Sequence, residues 1–174
     1  GGPVSMITSP YTITGLVAGS YTVTVTDDNG TTATASATIQ YLPVTNTSDA
    51  PDTYYATIQA AINAADPGET ITVCAGTYAE HVIVNKALDL RGPNYGISGT
   101  GARNPEALIV PEANLMPGDP WTEVVFINAN NVSFDGFKVS GDNPAITGYA
   151  YAGMDLEKGQ GVYSEGNNVT FTNN

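Results

Sequence analysis

The sequence predicts an all-β chain: a small sandwich-type repeat first, then a β-solenoid closed at its start by one short amphipathic helix. Three observations carry that prediction. Residues 1 to about 40 alternate apolar and polar side chains with period two. A strand-corner-strand unit recurs after residue 80: Val82-Ile83-Val84 and Ala87-Leu88-Asp89-Leu90 are split only by Asn85-Lys86. The layout returns as Val125-Phe126 before Asn130-Asn131-Val132-Ser133-Phe134, and as Val162-Tyr163 before Asn167-Asn168-Val169-Thr170-Phe171. Such a unit cannot bury its inner face alone, so copies must stack. Between the two regions lies the single stretch with helical spacing, Thr57 to Ala65.

Composition narrows the function classes. The 174 residues are 41% hydrophobic and 13% charged, which suits a folded protein rather than a disordered one. Seventeen acidic residues against five basic ones give a net charge of −12, which repels nucleic acid and anionic lipid surfaces. That acidity suits an extracellular setting, where divalent cations neutralise carboxylates. The single cysteine, Cys74, rules out an intrachain disulfide, and its place after Thr70-Ile71-Thr72-Val73 predicts a buried small side chain. No stretch approaches the roughly 18 apolar residues of a membrane span. The opening Gly1-Gly2-Pro3 is no signal peptide, and the sequence stops within a strand pattern at Phe171-Thr172-Asn173-Asn174. The chain therefore reads as an excerpt from a longer exported polypeptide, secreted or held at a cell surface.

Residues 1–41 form the expected repeat. Tyr11 to Thr14 reads as a strand; Tyr21, Val23 and Val25 then oppose Thr22, Thr24 and Thr26, and Ala33, Ala35, Ala37 and Ile39 oppose Thr32, Thr34, Ser36 and Thr38. Between them Asn29-Gly30 predicts a type I′ hairpin turn, since both residues tolerate positive φ. Asp27, Asp28 and Asn29 place three oxygen-bearing side chains in that turn. They are candidate calcium ligands, although an ordinary polar turn accounts for them equally and no bidentate Glu follows at EF-hand spacing. Residues 42–55, polar and containing Pro43 and Pro51, read as a linker.

The solenoid domain spans 56–174. Ile58, Ala61, Ile62 and Ala65 share one helix face, and Asp66-Pro67-Gly68 ends the helix. A helix here would cover the bare apolar cross-section and free strand edges of the first coil. Coil alignment yields two offsets: Asn130 to Phe134 matches Asn167 to Phe171 at 37 residues, and Leu88, Leu90 and Gly92 match Val132, Phe134 and Gly136 at 44. A coil needs only about 20–25 residues, so the excess leaves as loops over 93–105, 111–120 and 141–159.

Two resemblances sharpen these expectations. The string from Gly15 to Gly30, Gly-Leu-Val-Ala-Gly-Ser-Tyr-Thr-Val-Thr-Val-Thr-Asp-Asp-Asn-Gly, resembles the Ig-like repeat of the large gliding-motility adhesins and other surface proteins of the Bacteroidetes. Those repeats often carry a cysteine after the turn, where this chain has Thr31. The helix followed by residues 68–82, above all Gly76-Thr77-Tyr78-Ala79-Glu80, resembles the entry into the right-handed parallel β-helices of the pectin-lyase-like superfamily, which includes pectinesterases. The resemblances imply a bacterial surface or secreted protein whose partners are an extracellular polysaccharide or a surface protein, and bacterial secretion machinery.

Chemistry is sparse by comparison. Solenoid coils form a rigid wall, and loops supply specificity. Trp121, Tyr149 and Tyr151, with Tyr95, lie beside Asp142 and Asp155 in or next to those loops, a pattern suited to sugar, since rings stack on C–H faces while carboxylates meet hydroxyls. The same tyrosines also fit plain loop packing. Glycoside hydrolysis would require two convergent carboxylates, and elimination would require acidic calcium ligands with a base. Asp135 sits at a coil corner and His81 on a solvent-facing strand, so neither forms a catalytic set, and no catalytic residue is assigned. The expected function is an adhesion, glycan-binding or structural module. Two alternatives remain: a polysaccharide lyase, hydrolase or esterase whose active site lies beyond residue 174, and a secreted cargo protein with a purely structural solenoid. Calcium is the only cofactor candidate.

Overall fold

The computed structural model describes residues 19–39, 41–112, 123–147 and 160–174, which form two compact units, 1–41 and 42–174. The fold is all-β with one short helix, and parallel sheets dominate the second unit.

In the first unit, β1 (Gly19–Thr26) and β2 (Thr32–Ile39) pair antiparallel, setting Tyr21, Val23 and Val25 opposite Ala37, Ala35 and Ala33. The hydroxyl residues share the other face, where Thr22 and Ser36 meet at 3.0 Å and Ser20 and Thr38 at 3.3 Å. The turn differs from the type I′ expectation. Among residues 27–31, Gly30 alone has positive φ (+82°), its N–H donates to Asp27 C=O at 3.0 Å, and Asp27 N–H donates to Thr31 C=O at 2.9 Å. This is a three-residue connection built on a type I turn. Asp27 explains the choice, because its Oδ1 accepts from the N–H groups of Asn29 at 2.9 Å and Thr31 at 2.8 Å, so Asn29 need not turn left-handed. The strand expected at 11–14 lies outside the described residues.

The second unit begins earlier than its composition suggests. Residues 42–55 are not a plain linker: β3 (Val44–Asn46) and β4 (Thr53–Tyr55) form an antiparallel hairpin. The hairpin pairs antiparallel with β5 (Thr70–Val73) through β3. Polar residues here bond inward. Asn46, 1% exposed, donates to Glu69 Oε2 at 2.6 Å, and Ser48 Oγ accepts from Thr70 N–H at 2.8 Å.

Helix α1 (Ile58–Ala64) follows, with Ile58, Ala61 and Ile62 buried and Thr57 Oγ1 accepting from Ala60 N–H at 3.1 Å as the N-cap. A carboxylate from the following strands completes that end: Glu80 accepts from the N–H groups of Ile58 and Gln59 at 3.1 and 3.0 Å. Lys86 Nζ donates to the carbonyls of Asn63 and Ala65 at 3.2 and 2.8 Å, serving the opposite end.

The remaining strands are β6 (Gly76–Ala79), β7 (Val82–Val84), β8 (Asp89–Arg91), β9 (Ala107–Val110), β10 (Glu123–Ile127), β11 (Val132–Asp135), β12 (Lys138–Val139), β13 (Gln160–Ser164) and β14 (Val169–Thr172). They fall into three sheets, ordered β14-β11-β8-β5-β3-β4, β13-β10-β7 and β12-β9-β6. From β5 onward every described pair is parallel, and the chain visits the three sheets in rotation. The offsets read from the sequence are the observed registers: Val132 and Phe134 pair with Val169 and Phe171, and Phe134 pairs with Leu90. Val73, Val82, Leu90, Ile109, Ile127 and Phe134 are each at most 1% exposed and belong to one apolar core.

Corner residues repeat because the corners do. Asn131 and Asn168 adopt φ of +58° and +56°, a conformation that asparagine tolerates, and Asn168 Nδ2 donates to Asn131 Oδ1 at 2.7 Å. Gly136 sits so close to the loop after β8 that a Cβ would lie 2.2 Å from Tyr95 N. Cys74 departs from expectation and is exposed. The strand alternation ends at Val73, and Cys74 lies in the turn to β6, its carbonyl accepting from Tyr78 Oη at 2.7 Å.

Candidate functional site

The outer face of the β13-β10-β7 sheet gathers the most distinctive surface chemistry among the described residues. In β7 and β10, Val82, Val84, Val125 and Ile127 are fully buried, which leaves Ile83 and Phe126 on the opposite side, where both are half-buried and Val124 beside Phe126 is fully buried. Register places Ile83, Phe126 and Tyr163 in one row across the strands. The rings of Phe126 and Tyr163 lie 5.9 Å apart, centroid to centroid, at 14°, and Tyr163 is 43% exposed. Aromatic faces touch at about 3.5–4.0 Å, so that separation means the rings are offset rather than eclipsed.

Polar groups flank the row. Glu123 and Gln160 are register partners on neighbouring strands, and His81 Nε2 lies 3.4 Å from Glu123 Oε1. Tyr163 Oη donates to Glu165 Oε1 at 3.4 Å. A carboxylate therefore stands beside the exposed ring of the strip, and a carboxylate–imidazole pair lies at the start of β10.

A second cluster ties loop 93–106 to the coil corners. Arg103 donates through Nε to Glu106 Oε1 at 2.6 Å and through Nη2 to Glu106 Oε2 at 3.0 Å, and its Nη1 reaches Asn173 C=O at 2.7 Å. Fully buried Asn94 donates to Glu106 Oε2 at 2.9 Å. The Arg103 guanidinium holds the Glu106 carboxyl below its ordinary range, and Glu106 in turn raises Arg103. Asp135, 7% exposed, accepts from Asn173 Nδ2 at 2.8 Å and Gly96 N–H at 3.3 Å. Arg91 packs 4.4 Å from the centre of the Tyr95 ring and is bonded to Asp89, which raises its pKa. Apart from the buried Asp89 Oδ1, which has no hydrogen-bond partner, these groups satisfy one another, as a scaffold requires.

Of the sugar-contact candidates, Trp121, Tyr149, Tyr151 and Asp155 lie outside the described residues. Asp142 is half-buried just beyond β12, where its N–H donates to Ser140 Oγ at 3.2 Å. At the calcium candidates Asp27, Asp28 and Asn29, Asp27 Oδ1 is engaged by the two backbone N–H groups of its own turn. Among the described residues no three His, Cys, Asp or Glu side chains are grouped to hold a metal ion. A cleft of about 380 Å³ at the β13-β14 end is lined by Phe134, Val139, Val162, Ser164, Phe171 and Asn174. Its walls continue the inward rows of the core, so it is an open cross-section more than a polar site.

Attention to loops missed the row on the sheet. The signal was present, because Phe126 and Tyr163 stand 37 residues apart, the same offset that aligns Val132 with Val169. Compared with known proteins, the chain matches no family model, no curated protein and no solved structure. No helix among the described residues is long and apolar enough to cross a membrane.

Proposed function

We propose that this chain is an adhesion module of a secreted or cell-surface bacterial protein, in which an Ig-like sandwich repeat precedes a right-handed parallel β-helix that binds extracellular glycan. The observation that supports the reading most is the in-register row Ile83-Phe126-Tyr163, with Glu165 beside Tyr163, on the outside of stacked strands. Strand-borne side chains are fixed by the scaffold, so such a surface meets a ligand without an ordering cost. The rotation of the chain through three parallel sheets supports the β-helix, and the alternating β1-β2 hairpin supports the sandwich repeat.

The test is binding of the intact chain to an array of immobilised polysaccharides. Retention on at least one extracellular polysaccharide is the expected result. Absence of signal on every glycan would overturn the glycan-binding reading.

A further inference from the structure

We propose that the outer face of the β13-β10-β7 sheet is a binding site for a neutral polysaccharide, with Tyr163 as its stacking platform and Phe126 as the ring that supports it. The inference rests on the glycan-binding reading above and adds the ring that carries the contact and the charge class of the ligand.

Ring geometry places the site. Offset stacking at 5.9 Å and 14° braces Tyr163 against Phe126, and the residue remains 43% exposed. A tyrosine held this way has already lost rotamer freedom, so a pyranose ring can lay its C–H face on it at little further entropic cost. A hydrogen-bonding group is at hand beside the ring. Glu165, two residues after Tyr163, shares the phenolic hydroxyl.

Charge selects the class. Glu165 borders the platform, Glu123 is paired with the basic group His81, and the chain as a whole carries −12. Uronate or sulfate groups approaching this face would meet like charge. A neutral hexose polymer meets hydrogen-bond acceptors for its hydroxyls without that repulsion.

Affinity electrophoresis of the whole chain through gels containing galactomannan, hydroxyethylcellulose or polygalacturonate tests this. The expected result is retardation by a neutral polymer and none by polygalacturonate. Tyr163→Ala should weaken binding by about tenfold, while Tyr163→Phe keeps the ring and stays within about twofold of wild type. Far-ultraviolet circular dichroism of both variants should match wild type, since Tyr163 lies on the surface. Wild-type affinity in Tyr163→Ala, or preference for polygalacturonate, would overturn the site or its class while leaving glycan binding itself intact. Binding to none of the three polymers by a chain that is retained only on charged glycans counts against the class, and absence of all glycan binding removes the reading on which the site rests.

Discussion

Arg103 shows how single residues hold this architecture. It spans from Glu106 in its own loop to the carbonyls of Phe137 at 3.3 Å and Asn173 at 2.7 Å, so one guanidinium clamps a loop to two successive corners. Because Arg103 donates two hydrogen bonds to it, Glu106 loses its proton more readily in the folded chain than in the unfolded one. A carboxyl lowered on folding stabilises the protein fully above its unfolded value, and that contribution is lost as pH falls through the lower, folded value. Thermal melts across acid pH should therefore show wild type losing stability below about pH 4.5 more steeply than Glu106→Gln. Parallel curves for the two proteins would show that the pair is not coupled to folding. Residue chemistry of this kind was hidden in the sequence. Arg103 and Asn173 are 70 positions apart, and no local pattern joins them.

At the scale of elements, α1 deals with a free strand edge. β7 is the outermost strand of its sheet, and its exposed side would invite further pairing. Gln59 substitutes for a neighbouring strand: its Oε1 accepts from Ile83 N–H at 2.6 Å, and its Nε2 donates to Ile83 C=O at 3.2 Å and to Asn63 Oδ1 at 2.9 Å. Gln59→Ala should then leave α1 in place while the Ile83 amide exchanges with solvent about five- to tenfold faster by hydrogen–deuterium exchange, reflecting a lost hydrogen bond of about 1–1.5 kcal/mol. Unchanged protection at Ile83 would mean that the side chain is no part of the edge. The helix itself was legible, because Ile58, Ala61, Ile62 and Ala65 recur at helical spacing and all are buried. Its amide cap was not, since the partner lies 24 residues on. The β3-β4 hairpin escaped for another reason. Its strands are three residues each, and its hydrogen-bonding side chains give it the composition of a linker.

Across the whole molecule, one register relates core and surface. The 37-residue offset that lays Val132 on Val169 inside also lays Phe126 on Tyr163 outside, so the stacking that builds the wall builds the aromatic row as well. That much could be read from repeated Asn-Asn-Val strings, because the corners before β11 and β14 use the same left-handed asparagine. Which face would carry ring chemistry could not, because aromatic residues in loops and on strands look alike until the sheets are assembled. Cysteine pairing measures the register directly. In a Cys74→Ser background, Ser133→Cys with Thr170→Cys places register partners on adjacent strands about 4.8 Å apart, within disulfide reach, whereas Ser133→Cys with Thr172→Cys places the pair about 8 Å apart, beyond it. Rapid oxidation of the first pair in the monomer, with the second pair remaining reduced, is the predicted result. Failure of the first pair to close, or equal closure of both, would contradict the parallel stack and the surface built on it.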